Sequence, residues 1–169
     1  KLDPAPRWAL WKNHGTISFG RSYQSAKIVF DINSHTYRAM QISQRIESWK
    51  PIALNELFKV EYWDLEQAKL NKDTSDPEFL GKIAIITGAA SGIGYACVEN
   101  LLNQGCTIVG LDKNPKIKKI FCSNENFVGL ECDLTNLSHI NKSIRKTIRM
   151  FGGLDLLISN AGIFSSTAD

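Results

Sequence analysis

Three glycines, Gly88, Gly92 and Gly94, fall within seven residues of the stretch ITGAASGIGYA (86–96). A run of β-forming residues, KIAIIT (82–87), precedes them and a helical period follows. At such a strand-to-helix turn the first amides of the helix point outward unpaired, and together with the helix dipole they make an anion site. Glycine lets a phosphate reach that backbone with no Cβ in the way. A tight turn holding nothing has the same composition, so spacing must be used as well. A Walker loop needs Gly and Lys where Ile93 and Gly94 stand, and the usual G-x-G-x-x-G fails at Ala90. What remains is T-G-x-x-x-G-I-G, Thr87 to Gly94.

A second chemical group lies downstream. Asp112 ends TIVGLD (107–112), 18 residues past Gly94, at the distance where an acid accepts hydrogen bonds from an adenosine ribose. A 2′-phosphate about 4 Å from that carboxylate meets repulsion on the order of 4 kcal/mol per charge at an effective dielectric near 20. The acid therefore favours NAD over NADP, softened by the adjacent Lys113.

These groups need elements to hold them. KIAIIT, TIVGLD, FVGLECD (127–133) and LDLLISN (154–160) read as strands. Between them, Ile93, Ala96, Cys97, Leu101 and Leu102 mark one helix face, stopped by Gly105, and Ile140, Ile144, Ile148 and Phe151 mark another. Strands alternating with such helices imply right-handed βαβ units and a parallel sheet. The expected fold is α/β, an incomplete Rossmann doubly wound parallel sheet. In strand order 3-2-1-4-5 the fifth strand is missing, which leaves an apolar edge open.

Residues from about Leu80 to Thr167 resemble the short-chain dehydrogenase/reductase family. The resemblance rests on TGAASGIG after the first strand, Asp112 after the second, CDLT (132–135) after the third and SNAG (159–162) after the fourth, with Ser159 in place of the family's asparagine. It implies a cofactor site at Gly88, Ser91, Gly92, Ile93, Gly94 and Asp112. It further implies that Asp133 bonds the adenine amino group, that Leu134 packs near the ring, and that Asn160, Ala161 and Gly162 line the ribose side. Asp133 also reads as the cap of the helix that follows. The family's chemistry needs a later serine and a Tyr-x-x-x-Lys pair. After Gly162 only IFSSTAD remains, and Tyr95 is the sole tyrosine beyond the glycine loop. No catalytic residue is therefore assigned within this chain.

The first half has another character. All four tryptophans lie in it and all four cysteines lie in the second half. RWALWKNHGTISFG (7–20) reads as strand, turn, strand with His14-Gly15 at the bend. A helix follows with Ile28, Ile32, Ala39, Ile42 and Ile46 on one face and His35 on the same stripe. This half resembles the C-terminal end of class II aldolases, and the joined order resembles bifunctional rhamnulose-1-phosphate aldolase/alcohol dehydrogenase fusions. The resemblance implies a strand-helix tail of an aldolase α/β domain over residues 1–70, a linker over 71–79, and the front half of a dehydrogenase domain over 80–169. It makes His14 a zinc ligand, although the partner ligands of the complete aldolase domain lie upstream in that family. The parent is expected to be a sugar-metabolising oxidoreductase acting on an alcohol, an aldehyde or a sugar phosphate. The alternative is a non-catalytic nucleotide-binding or structural fragment.

Composition bounds the rest. Eleven cations meet ten acids over residues 1–80, and nine meet seven over 81–169, so no basic half argues for nucleic acid. Cys97, Cys106, Cys122 and Cys132 show no C-x-x-C pair, as expected of reduced thiols in the cytoplasm. No long apolar run suggests a membrane. The chain starts at Lys1 without methionine, so an upstream part is expected, and a homo-oligomer is the expected assembly.

Overall fold

The computed structural model describes residues 6–63 and 76–162. They form two compact units, one containing residues 6–29 with 77–162 and the other residues 30–63 with 76. Most of the linker expected over 71–79 lies outside the described residues, as does everything after Gly162.

The first unit opens with a hairpin, β1 (Trp8–Trp11) and β2 (Gly15–Ser18), paired antiparallel. The bend falls on Lys12, Asn13 and His14, one residue earlier than expected, because Gly15 already pairs with Trp11. A long helix, α1 (Tyr23–Ile46), follows, and a second, α2 (Leu54–Glu61), was not foreseen in the sequence. Its starting point is explained by Pro51 and by Ala53, which enters the helix in extended conformation.

The dehydrogenase-like part alternates as expected: β3 (Ile83–Thr87), α3 (Gly92–Asn103), β4 (Thr107–Asp112), β5 (Phe127–Glu131), α4 (Leu137–Phe151) and β6 (Leu156–Ile158). The four strands make one parallel sheet ordered β5-β4-β3-β6, which is the 3-2-1-4 arrangement. Alternate residues serve opposite faces. Ala84, Ile86 and Ile108 pack with Val98 and Leu102 of α3 on one side. Ile85, Val109 and Leu111 pack towards Ile140, Ile144 and Phe151 of α4 on the other. Strands β5 and β6 are the outer ones among the described residues, and Leu157 of β6 is 64% exposed.

The helix faces depart from the expected stripes. In α3 the buried line is Gly94, Val98 and Leu102, while Ile93 is 75% exposed and Ala96 is exposed. In α4 the small residues Ser143 and Thr147 are the buried ones and Ile148 is 48% exposed. Apolarity alone does not choose the buried line: in α4 the two buried side chains are a serine and a threonine. In α1 no residue is buried, and the expected stripe of Ile28, Ile32, Ile42 and Ile46 faces outward.

One further difference concerns charge. Lys142, Arg145, Lys146 and Arg149 fall along one side of α4, and no acid occurs in that helix. Counting by halves averages out such a helical concentration, so the even charge balance gave no warning of it.

Candidate functional site

The glycine loop lies at the carboxyl end of β3. Gly88 (φ 66°) turns the chain, and Ser91 precedes the first helical residue in extended conformation. The Ser91 side chain makes no capping bond to α3. α2 also begins without a side-chain cap, at Ala53, whereas two other starts behave differently. Asn136 caps α4 by accepting from the amides of Ser138 (2.9 Å) and His139 (3.4 Å), and Asn114 accepts from Lys116 at the short 3-10 turn Pro115–Lys118. The start of α3 thus keeps its amides without a side-chain acceptor, as an anion site requires. A Cβ on Gly94 would run into the carbonyl of Gly88, so the helix start can lie this close to the loop only with glycine there.

Thr87 and Asn160 join two strand ends beneath this loop. The buried Thr87 hydroxyl oxygen accepts from the amides of Asn160 (2.9 Å) and Ala161 (3.0 Å). In return the Asn160 side-chain amide donates to the Thr87 carbonyl at 3.0 Å. Sequence reasoning named Asn160 and passed over Thr87, although Thr87 opens the TGAASGIG signature.

Asp112 holds the loop from the side. One carboxylate oxygen accepts from the Ala90 amide at 3.0 Å and the other from the Asn114 amide at 2.8 Å. An ionised carboxylate offers about four acceptor positions, so both oxygens keep capacity for a ligand. Asp133 does not cap α4, because Asn136 occupies that position. Instead one Asp133 oxygen accepts from the Thr135 amide (2.9 Å) and the Thr135 hydroxyl (2.8 Å). The amide bond first, then the hydroxyl, hold its carboxyl below the usual aspartate range. The group is therefore an anion with one oxygen uncommitted.

These pieces enclose a cavity of about 490 Å³. Gly88, Ser91, Asp112, Asp133, Leu134 and the segment Asn160 to Gly162 all line it, drawn from four strand ends. Lys113, Cys132 and Thr135 line it too, each the immediate neighbour of a motif residue. Gly92, Ile93 and Gly94 sit in the first turn of α3 beside Ser91 without lining the cavity. The groove is walled by the residue before an uncapped helix start, the carboxylates of Asp112 and Asp133, and Leu134.

The groups of proton chemistry lie elsewhere. Tyr95 stacks on Phe121 (4.8 Å between centroids) and does not line the cavity. Tyr23 and Lys27 of α1 have Tyr-x-x-x-Lys spacing, which the sequence reading did not single out. The structure sets Tyr23 edge-on to Phe151 at 5.6 Å and Lys27 against Glu125 at 2.5 Å, and neither lines the cavity. His14 packs on Trp11, with 4.7 Å between ring centroids. Among the described residues no group of three His, Cys, Asp or Glu could hold a metal, so these residues do not by themselves form a zinc site. All four cysteines are free thiols, and no described helix is long and apolar enough to cross a membrane.

Comparison with known proteins follows the same division. Residues 82–169 match the model for the short chain dehydrogenase family, and residues 1–70 match that for the second domain of class II aldolase. An uncharacterized oxidoreductase, YuxG, of Bacillus subtilis is 26% identical over 98% of this chain and 25% of its own length, so one relative spans both parts in this order. The 2-dehydro-3-deoxy-D-gluconate 5-dehydrogenase of Dickeya dadantii is 36% identical over 49% of this chain and 34% of its own. The chain thus spans a quarter to a third of the length of these curated relatives. Among solved structures, a 3-ketoacyl-(acyl-carrier-protein) reductase from Brucella melitensis complexed with NADH aligns with a TM-score of 0.48 at 25% identity, covering 50% of this chain and 36% of that one.

Proposed function

Because the chain belongs to the short-chain dehydrogenase family, we propose that its cleft at the sheet's carboxyl end holds NAD in preference to NADP, within an oxidoreductase acting on an alcohol or aldehyde. The observation that carries this reading is the convergence of four separate strand ends on one groove of about 490 Å³. Ser91 and the amides of Gly92, Ile93 and Gly94 take the pyrophosphate. Asp112 accepts from the adenosine ribose while still tying down Ala90 and Asn114, so its position does not depend on the ligand. Asp133 and Leu134 receive the adenine, and Asn160, Ala161 and Gly162 line the ribose side. When bound, the nicotinamide supplies the hydride acceptor or donor. The sequence holds no Tyr-x-x-x-Lys after the glycine loop, and we assign proton transfer to none of its residues.

The union of an aldolase second domain with a dehydrogenase in one chain supports a place in sugar metabolism. Relatives of the dehydrogenase part carry names as different as a deoxygluconate dehydrogenase and the 15-hydroxyprostaglandin dehydrogenase (NAD(+)) of Bos taurus, so the substrate is read from the aldolase side. We place the parts at residues 1–70, 71–79 and 80–169, assign the protein to the cytoplasm as a homo-oligomer, and leave zinc binding through His14 to a complete aldolase domain. Calorimetric titration tests the cofactor reading. NADH should bind the folded chain at least tenfold more tightly than NADPH, a gap of about 1.4 kcal/mol, and Asp112→Asn should narrow that gap. Equal affinities, or no heat with either at millimolar concentration, would overturn it.

A further inference from the structure

The side of α4 that faces away from the sheet carries a groove, and its walls follow from helical geometry. Residues four apart stack into ridges along an α-helix. Leu137, Asn141, Arg145 and Arg149 make one ridge. Ser138, Lys142, Lys146 and Met150 make the next. These two rows are the whole lining, and every member is exposed. The apolar members stand at diagonal ends, Leu137 opening one ridge and Met150 closing the other, with the cations between them.

Those cations lack counterions. Lys142, Arg145, Lys146 and Arg149 make no ion pair or side-chain hydrogen bond among the described residues, and the helix holds no acid. They stand three or four apart, Lys142 beside Arg145 and Lys146, and Arg149 beside the same two. Like charges at those spacings repel one another. A cation in the last turn offsets the helix dipole, which accounts for Arg149 but not for Lys142 further back.

We propose that this groove docks an acidic α-helix of another protein, whose own row of residues four apart lies between the two ridges. Its carboxylates face the four cations, and apolar residues meet Leu137 and Met150. Rows that interdigitate in this way cross at about 50°, over a groove about 20 Å long at about 1.5 Å per residue. Carboxylates also suit the two arginines, which can bind them bidentately. Other occupants fit less well. No aromatic side chain lines the groove for bases to stack on, and apolar side chains at its two ends alone are too few for a bilayer surface. A second copy offers no matching row among its described helices. Helices α1 and α3 hold one acid each, and the two in α2 are five residues apart, with Glu56 paired to Lys59 at 2.8 Å. The proposal does not rest on the dinucleotide reading, since the groove and the cofactor cleft share no residue.

Amide-resolved NMR of the full 169-residue chain tests this with a capped, alanine-based helical peptide of about 14 residues. The peptide bears glutamates at successive i, i+4 positions and a leucine near each end. Saturable shifts are expected at residues 137–150, about tenfold weaker with glutamine in place of glutamate, and weaker again when salt rises from about 50 to about 300 mM. Arg145→Gln combined with Lys146→Gln should weaken the peptide about tenfold, whereas Arg145→Lys should keep most of the binding. Both side chains are exposed, so the unbound spectrum should otherwise be preserved. The proposal is overturned if the glutamate peptide does not saturate by about 5 mM at the lower salt, if the glutamine peptide binds as well, or if the double variant binds unchanged. Tighter binding of single-stranded RNA or phosphatidylserine vesicles at residues 137–150 would overturn it too. So would shifts at those residues on diluting the chain alone, which would give the groove to a second copy.

Discussion

The sheet of residues 83–158 and the helices of residues 30–61 use similar apolar side chains with opposite results. In the sheet Ile85, Ile86 and Ile108 are exposed by 2% or less. On α1, Ile32, Ile42 and Ile46 are exposed by 59%, 51% and 82%. Propensity and periodicity are sound in both places. The difference is that α3 and α4 return across the two faces of the sheet, whereas no described element lays a second layer over the isoleucine stripe. An amphipathic face becomes a core only when another layer meets it.

Substitutions at the two sites sharpen this contrast. Ile86→Ala should cost about 2–5 kcal/mol, the range for truncating a fully packed side chain, measured as a fall in the urea midpoint. Ile32→Ala should change stability by no more than about 0.5 kcal/mol. An Ile32 effect as large as that at Ile86 would break the contrast and show that the stripe is covered in solution.

A smaller loss is expected at the strand ends. Thr87→Val keeps the shape but removes the oxygen that accepts from Asn160 and Ala161, leaving two amides short of a partner. The expected cost is about 1–3 kcal/mol, together with weaker NADH binding, because Asn160 and Ala161 line the cleft. Unchanged unfolding and binding would reduce Thr87 to a bystander.

The smallest effect lies in the thiols. Burial first, then the charge of Asp155, push Cys106 up to about 11, opposed by a backbone hydrogen bond involving Ala84. A thiol raised above its ordinary value stays protonated in the folded chain while the unfolded chain ionises. Its contribution is therefore complete below about pH 9 and is lost as pH rises towards 11. The sheet should soften slightly over that window, and Cys106→Ala should abolish this part of the alkaline decline. Alkylation near neutral pH should label the exposed Cys122 and reach Cys106 only on unfolding.

Much of this molecule is legible before any coordinates. The four strands, the stop at Gly105 and the placing of four motifs at carboxyl ends follow from short-range spacing, and the strand order from the fold that the motifs' resemblance implies. Features settled by distant neighbours were not legible. The cap of α4 is a local exception, missed because Asn136, directly before the helix, takes the cap position while Asp133 accepts from Thr135. Asp112 ties the glycine loop through Ala90, 22 residues away in sequence. Tyr23 and Lys27 have catalytic spacing yet serve packing, since α1 begins beside the end of α4.

The order of residues determined where the chain turns, which segments extend or coil, and which groups stand at each strand's end, because backbone dihedrals and side-chain periods answer to neighbours a few positions apart. Only the tertiary structure decided which helical face is covered and which acid meets which amide. Those outcomes depend on surfaces that become adjacent only after the layers have packed, and no local pattern encodes that adjacency.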